Sequence, residues 1–380
     1  MTAATIEHAG RNPDFLSSIE EILDEASNGR MFVLVDDKDR ENEGDLVIPA
    51  QMATPEAINF MAKFGRGLIC LALPHERVRE LGLKPMERRN RSRFETAFLT
   101  SIEAAEGVTT GISAADRAHT VRVAIDQHST AKEINTPGHV FPLEARDGGV
   151  LVRAGHTEAA IDIARLADLI PAGVICEIMN DDGTMARYDD LVVFCQRHAL
   201  RMATISDLIA YRRRTERLVE PIVESEFDSR YGGRFRMIIY KNTVEYAEHI
   251  ALVKGDVSTP GPVLVRVHAV NIVADLLGDM DSNGAHDLHG AMEVIRDANR
   301  GVVVLIRDTL PTTVSTLVGQ SAQESRTEGS WRDIGVGAQI LLDLGVSEMI
   351  LLSNVERAFV GLDGFGLRVV ERRSLGGRDV

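Results

Sequence analysis

The residues with the clearest chemical potential lie in one stretch, 36–45, which reads Asp-Asp-Lys-Asp-Arg-Glu-Asn-Glu-Gly-Asp. Carboxylates at this density repel one another at neutral pH unless cations offset their charge, and two cations are built in. If the stretch is extended, Glu41, Glu43 and Asp45 point to one side, because side chains alternate across a strand. A row of carboxylate oxygens suits a hard cation such as magnesium, and carboxylates beside a metal can act as general acids or bases.

Two apolar runs, 31–35 and 46–48, flank the acidic stretch and predict buried strands on either side of it. The acids would therefore lie where the chain leaves a sheet, close to a core. A generic charge run is most often a solvated loop without chemistry. Here the flanking strands, and Gly44 between two acids, favour the functional interpretation.

A second candidate site is the segment 153–157, at a predicted strand-to-helix junction. Gly155 would let the backbone approach a ligand closely, and the helix N-terminus would offer free N–H groups to an anion. Arg153 adds a positive fork suited to phosphate, and His156 could bind a metal, although a lone histidine is more often structural. Many helices begin with Gly-x-Thr, so the segment alone is weak support. Together with the acidic stretch it favours a metal and a phosphate.

Two isolated residues add to this set. Glu177 lies in an otherwise apolar predicted strand, 173–179, where a buried carboxylate is costly unless it is paired. It should either meet a cation or have a raised pKa suited to proton transfer. His139 precedes another apolar run and could serve as an acid or a base.

Composition limits the alternatives. A chain of 380 residues predicts two domains, and its net charge of -15 argues against nucleic acid or anionic membrane as a partner. The three cysteines show no paired spacing, which argues against a disulfide framework or a zinc motif and fits a reducing cytosol. No run of membrane-spanning length and no signal peptide is evident, so we expect a cytoplasmic protein.

Apolar periodicity predicts an α+β fold for the first half, in which helices and strands alternate around a mixed sheet. We expect a disordered tail at 1–14, a first domain at 15–219 and a second, α/β domain at 220–380. Thr54 should cap a helix that starts at Pro55. Residues 150–153 read as a strand, and the arginine-rich stretch 211–220 reads as the linker between the domains.

Several long motifs of the first half resemble one family. They are Asp-Arg-Glu-Asn-Glu-Gly-Asp at 39–45, Gly-Val-Thr-Thr-Gly at 107–111, Pro-Gly-His-Val-Phe-Pro-Leu at 137–143, Arg-Ala-Gly-His-Thr-Glu-Ala at 153–159 and Cys-Glu-Ile-Met-Asn-Asp-Asp-Gly-Thr-Met-Ala-Arg at 176–187. Over about 15–215 the chain resembles the 3,4-dihydroxy-2-butanone 4-phosphate synthases of riboflavin biosynthesis. The resemblance implies conversion of D-ribulose 5-phosphate to L-3,4-dihydroxy-2-butanone 4-phosphate and formate. It also implies magnesium or manganese as cofactor, and a homodimer with its active site at the interface.

The resemblance also implies roles for individual residues. Glu41 and His156 match the metal ligands, and the substrate-contacting positions are Arg40, Glu41, Asp45, Arg153, Ala154, Gly155, His156, Thr157 and Glu177. Cys70 and Thr110 match positions that line the pocket. His139 and Glu177 match catalytic positions, with His139 coming from the partner chain. We add the hypothesis that Asp45 or a neighbouring acid removes the first proton, and that Glu177 and His139 handle later transfers.

The second half, from about 220 to 375, resembles GTP cyclohydrolase II less completely. Asn271, Ser282 and Gly284 stand where that family has three zinc-binding cysteines, and no cysteine follows Cys195. We therefore expect no zinc and an inactive cyclohydrolase-like domain. Two alternatives remain: a bifunctional enzyme with a remodelled metal site, or a binding module that stabilises the dimer.

Overall fold

The computed structural model describes residues 15–38, 40–87, 96–244, 247–277, 284–307, 330–354 and 367–375, with the backbone alone at 284–286 and 330–334. The predicted tail at 1–14 lies outside these residues. The chain divides into two compact units between Arg212 and Arg213.

The first unit is built on a seven-stranded sheet. Its strands are β1 (Phe32–Val35), β2 (Gly44–Pro49), β3 (Cys70–Leu73), β4 (Ile102–Ala104), β5 (Ile134–Glu144), β6 (Gly173–Glu177) and β7 (Met202–Thr204). Their order across the sheet is β4-β5-β3-β6-β2-β1-β7. Because β3 runs parallel to β5 while β2 runs antiparallel to β1 and β6, the sheet is mixed, as predicted.

Helices cover both faces of this sheet. They are α1 (Ile19–Ser27), α2 (Pro55–Phe60), α3 (His75–Glu80), α4 (Ala114–Ile125), α5 (His156–Leu166), α6 (Tyr188–His198) and α7 (Ile205–Thr215). One apolar core, which contains Val33 and Leu46, packs against α2, α4 and α6. The other contains Val47 and packs against α1, α5 and α7. Asp45 lies two residues before Val47 and pairs with Glu177 on β6, so both acids face the second core and α5.

The helix cap at Thr54 is confirmed. Its side-chain oxygen accepts the N–H of Ala57 at 3.2 Å, and Pro55 occupies the first turn of α2. The helix then continues as a single π turn, Met61–Gly65, which ends at Arg66 in a left-handed conformation with φ of 69°. This ending turns the chain into β3.

One local prediction was wrong. The predicted strand at 150–153 is a 3-10 turn, because Gly148 and Gly149 both have positive φ and Val150 donates its N–H to Asp162 at 2.8 Å. The boundary between the two units falls within the predicted linker 211–220, where α7 continues to Thr215 and the next strand starts at Val219. Within this stretch Arg212 is buried and donates to Asp162 at 2.8 Å.

The second unit contains another seven-stranded sheet, in the order β14-β13-β11-β12-β10-β9-β8. Its strands are β8 (Val219–Ser229), β9 (Gly233–Asn242), β10 (Glu248–Lys254), β11 (Val263–Ala269), β12 (Gly301–Ile306), β13 (Glu348–Leu352) and β14 (Arg368–Arg373). Its described helices are α8 (Ile272–Leu277), α9 (Gly284–Ala298) and α10 (Ser330–Asp343). Parallel and antiparallel neighbours both occur, so the two-domain fold class predicted from the sequence is confirmed.

Stability of the second unit should depend on pH through His249 on β10. Burial lowers the pKa of this histidine to about 4, and the charge of Arg307 adds to the effect. The pKa of folded His249 lies below the unfolded value of about 6.5. As the pH falls from 6.5 towards 4, the unfolded chain binds a proton that the folded chain does not, so the free energy of unfolding decreases; above pH 6.5 it is fully retained. Between pH 7 and pH 5 the loss should be about 2 kcal/mol.

Urea unfolding at pH 7 and pH 5 measures this loss. His249→Asn should remove most of this pH-dependent loss of stability. In the wild type His249 Nδ1 accepts the Arg307 N–H at 3.2 Å, and the asparagine oxygen can accept it instead. The exposed His128 gives the control substitution, His128→Asn, which should behave as the wild type. An unchanged pH dependence in His249→Asn would contradict this assignment.

No helix in the described residues combines the length and the apolar character that crossing a membrane requires.

Candidate active site

Asp36, at the end of β1, organises the acidic loop. Its side chain is buried, and its two carboxylate oxygens accept the N–H groups of Glu43 at 2.8 Å and Glu41 at 3.0 Å. Arg40 donates from one nitrogen to Asp36 and to Glu41, both at 2.9 Å. Arg40, one of the two cations within the acidic stretch, therefore offsets the negative charge of these carboxylates, as predicted. Asp36 was not among the predicted site residues, although it is the first acid after the apolar run.

His156 is the first residue of α5 and is 5% exposed. Its Nε2 lies 3.3 Å from the carbonyl oxygen of Leu34, and because a carbonyl only accepts, Nε2 carries the proton. Nδ1 is then the unprotonated nitrogen, 3.9 Å from a carboxylate oxygen of Glu41. Burial lowers the pKa of His156 to about 4, so the ring is neutral at physiological pH. Neutral imidazole is the form that binds metals.

Three side chains of this cluster could hold a cation. Ligand atoms of Asp36, Glu41 and His156 all lie within 4.8 Å of one another. Two carboxylates and a neutral imidazole suit a divalent cation, and the hydrogen bond from His156 Nε2 to the Leu34 carbonyl fixes the ring as metal sites require. The donor set therefore fits the cation that the acidic stretch predicted.

Asp45 and Glu177 face each other across β2 and β6. Asp45 is 4% exposed, and one of its oxygens lies 3.8 Å from His156 Nε2. Burial raises the pKa of the Asp45 carboxyl well above its usual range, and the negative charge of Glu177 adds to the effect. A carboxylate with a raised pKa is a stronger base, so Asp45 is suited to take up a proton and return it.

Glu177 is the last residue of β6 and is half-buried. One carboxylate oxygen accepts the N–H of Leu68 at 2.8 Å and lies 2.5 Å from the place where a side chain on Gly67 would start. In the described part of the chain no ion pair involves it. The sequence predicted either a cation partner or a raised pKa for Glu177, and no cation partner is found among the described residues.

Cys70 on β3 lies opposite Ile175, which is two residues before Glu177 on β6. It is buried, and burial, followed by the charges of Glu177 and Asp45, raises the pKa of its thiol. The thiol stays protonated and can line the pocket without acting as a nucleophile.

The 153–157 segment forms the turn into α5. Arg153 donates to the buried Glu158 at 2.6 Å and to Thr96 at 3.1 Å. Gly155 fits because a side chain there would start 2.3 Å from an Arg153 nitrogen. Thr157 is buried in the first turn of the helix. These contacts fix the start of α5, with His156, against the acidic loop.

His139 and Thr110 lie apart from this cluster within the same unit. His139 is on β5, where its Nδ1 lies 3.0 Å from a carboxylate oxygen of Glu103, and Thr110 is exposed in the turn before α4. In the sheet, β3 lies between β5 and β6, which puts the backbones of these two strands about 10 Å apart. Glu41, Asp45, His156 and Glu177 thus form one cluster without His139.

Known proteins match this chain over nearly its whole length. The family model described as 3,4-dihydroxy-2-butanone 4-phosphate synthase matches residues 20–211, and the model for GTP cyclohydrolase II matches residues 220–374. A 3,4-dihydroxy-2-butanone 4-phosphate synthase from Photobacterium phosphoreum is 47% identical over 360 residues, covering 94% of this chain and 98% of that protein. The chain belongs to the 3,4-dihydroxy-2-butanone 4-phosphate synthase family. It is therefore a lyase of riboflavin biosynthesis that acts on a sugar phosphate, as predicted.

Relatives of this synthase carry two kinds of name. The Pseudomonas aeruginosa protein, named as the synthase, is 47% identical over 361 residues, covering 94% of this chain and 98% of that protein. The riboflavin biosynthesis protein RibBA of Aquifex aeolicus is 46% identical over 372 residues, covering 94% of this chain and 91% of that protein.

Two solved structures extend the comparison. RibBX of A. baumannii, a two-domain synthase, aligns with a TM-score of 0.76 at 42% identity and covers 94% of this chain and 99% of its own. A synthase in complex with two magnesium ions aligns with a TM-score of 0.51 at 39% identity, covering 53% of this chain and 98% of its own.

Proposed function

We propose that Glu41 and His156 hold a divalent cation, magnesium or manganese, next to bound D-ribulose 5-phosphate. The observation that carries the proposal is the unprotonated Nδ1 of His156, 3.9 Å from Glu41 and held by the hydrogen bond of Nε2 to the Leu34 carbonyl. The solved relative with two magnesium ions supports magnesium. Bound there, the cation would polarise the substrate carbonyl and stabilise negative charge on its oxygen.

Asp45 is proposed to take the first proton, from the carbon next to that carbonyl, which gives an enediolate. Its raised pKa makes it a better base than a solvated aspartate, and it is buried against His156 and Glu177. Glu177 would exchange protons with the same substrate, and its strand position opposite Asp45 supports this role. His139 would serve the later transfers that accompany dehydration, rearrangement and loss of formate.

The substrate phosphate is proposed to bind at the start of α5. The N–H groups of the helix's first turn and the Thr157 hydroxyl are suited to an anion there. Arg153 supplies positive charge, although two of its nitrogens already donate to Glu158 and Thr96. Arg40 would contact the substrate from the acidic loop, while Cys70 and Thr110 would line the pocket.

We further propose that the enzyme is a homodimer in which His139 serves the partner's site. A general base must lie within hydrogen-bonding reach of the proton it moves, and β5 is three strands away from β2, about 14 Å. His139 of one chain would therefore not reach Asp45 of the same chain, but it would reach the substrate bound by the partner chain.

Mixing two inactive variants tests the shared site. His139→Ala and Glu41→Gln should each be inactive alone, whereas co-expression in equal amounts should restore about a quarter of the wild-type rate. Half of the dimers would be hybrids, and each hybrid would have one intact site. Failure of hybrids to regain activity would show that His139 and Glu41 serve the same chain's site.

The second unit is proposed to lack cyclohydrolase chemistry. Asn271, at the position of a family cysteine, instead accepts the N–H groups of Val273 and Ala274, both at 3.1 Å, and so caps α8. Nearby, His268 Nε2 lies 3.0 Å from the carboxylate of Asp275, so this nitrogen already has a hydrogen-bond partner. The predicted positions Ser282 and Gly284 lie outside the described side chains.

The competing proposal is a bifunctional enzyme, which the relatives named RibBA favour. Assaying the purified protein for formate from GTP, with zinc supplied, separates the two. We expect no formate from GTP and no bound zinc. We also propose a cytoplasmic location, which the net charge of -15 and the unpaired cysteine spacing support.

A further inference from the structure

His139 is held by a carboxylate to which the family resemblance gives no role. Glu103, on β4, places an oxygen 3.0 Å from Nδ1 of His139 on the neighbouring β5. The Glu103 side chain is 20% exposed and that of His139 is 42% exposed, so one partner is well enclosed and the other reaches solvent. Because Nδ1 is turned towards Glu103, Nε2 lies on the opposite edge of the ring.

The strands are shaped to bring the two side chains together. The pairing of β4 with β5 shifts register between Ile102 and Glu103, and such irregularities re-aim a side chain. Gly138, next to His139, packs so closely that a side chain there would start 2.1 Å from the Ile102 carbonyl. The approach of Glu103 to His139 is therefore built into the backbone of both strands.

A turn closes over the pair. Gly111 has φ of 82°, and a side chain on it would start 1.0 Å from the Glu103 carboxylate and 2.7 Å from His139 Nδ1. Asp116, in the first turn of α4, holds this turn by accepting the Gly111 N–H at 3.0 Å and the Thr109 hydroxyl at 2.8 Å. The turn thus excludes other partners from the Nδ1 side of His139.

We propose that Glu103 is the positioning residue for His139. An ionised carboxylate only accepts hydrogen bonds, so the proton of the neutral ring must lie on Nδ1, and Nε2 carries the lone pair. When Nε2 takes a proton from the substrate, the Glu103 carboxylate lies beside the positive charge of the ring, 3.0 Å from Nδ1. The inference rests on the proposed catalytic role of His139.

Three variants test the inference. Glu103→Ala should lower kcat about 10- to 100-fold, as loss of an orienting partner commonly does, with KM changed less than about 2-fold. Glu103→Gln keeps a hydrogen-bond acceptor but lacks the charge, so its kcat should lie between those of the wild type and Glu103→Ala. Glu106→Gln, in the following turn and exposed, should match the wild type. Thermal unfolding of all three should stay near the wild-type midpoint, which separates positioning from folding.

A second measurement does not depend on turnover. Nitrogen-15 NMR of the histidine rings, assigned with His139→Ala, should show the proton of neutral His139 on Nδ1 in the wild type and a mixture of both forms in Glu103→Ala. A proton on Nε2 in the wild type, or an unchanged kcat in Glu103→Ala, would overturn the inference. If His139→Ala itself keeps full activity, the catalytic role of His139 fails and the inference fails with it. If His139→Ala is inactive while Glu103→Ala is not, only the role of Glu103 is wrong.

Discussion

Replacing Glu41 by glutamine should lower the rate of formate release from ribulose 5-phosphate at least about 1,000-fold. A bound metal contributes several kcal/mol to stabilising charge in the transition state, and about 4 kcal/mol corresponds to that factor. Glutamine keeps the shape of Glu41 and can still accept the hydrogen bond that Arg40 donates at 2.9 Å. It lacks the charge that a divalent cation needs from this ligand.

The fold of the loop should survive Glu41→Gln, because Asp36 and not Glu41 accepts the backbone N–H groups. Calorimetric titration with magnesium should show weakened binding in the variant and an unchanged unfolding temperature. Glu76→Gln, which removes the same charge from an exposed position on α3, should leave both binding and rate unchanged. Wild-type magnesium affinity in Glu41→Gln would remove Glu41 from the metal site.

Asp45→Asn should combine lost activity with gained stability. The asparagine side chain fills the same volume but does not accept a proton, so kcat should fall about 100- to 10,000-fold, the usual contribution of a general base. KM should change little, since the phosphate contacts proposed for α5 remain. A reaction that proceeds at near wild-type rate in Asp45→Asn would assign the first proton to another acid, with Glu177 the next to test.

The stability of Asp45→Asn follows from the direction of the pKa shift. The folded pKa of Asp45 is raised above the unfolded value near 3.9, so stability falls as the pH rises through the window between them. At pH 8, with metal removed by a chelator, the wild type should therefore unfold at a lower urea concentration than the variant. Urea unfolding at pH 8 and pH 4 measures this, and the difference should shrink at the lower pH.

The sequence predicted the parts of the site that depend on strand periodicity. Asp45 directly precedes the apolar run 46–48 of β2, and Glu177 interrupts the apolar run 173–179, so the sequence alone places both acids at a sheet. Their pairing across β2 and β6 depends on strand order, which one sequence without an alignment does not give. The resemblance to a family supplied the connection.

Residues whose role depends on tertiary packing were missed. Arg212 was predicted only as part of the linker, yet its ion pair with Asp162 is buried and α7 continues past it. Asp36 looked like one acid among several, although its buried position makes it the residue that folds the loop. Glu103 faces His139 only because the pairing of β4 and β5 shifts register there, which no periodicity predicts.

The most direct test of the cation site is formate release from ribulose 5-phosphate by the wild-type chain as magnesium is added back after chelation. We expect no formate with the metal removed, and a rate that rises with magnesium to saturation and is absent at every concentration in His156→Asn. Formate released at an undiminished rate by the fully chelated wild type, or a saturating response in His156→Asn, would contradict a catalytic site built on the acidic loop and α5.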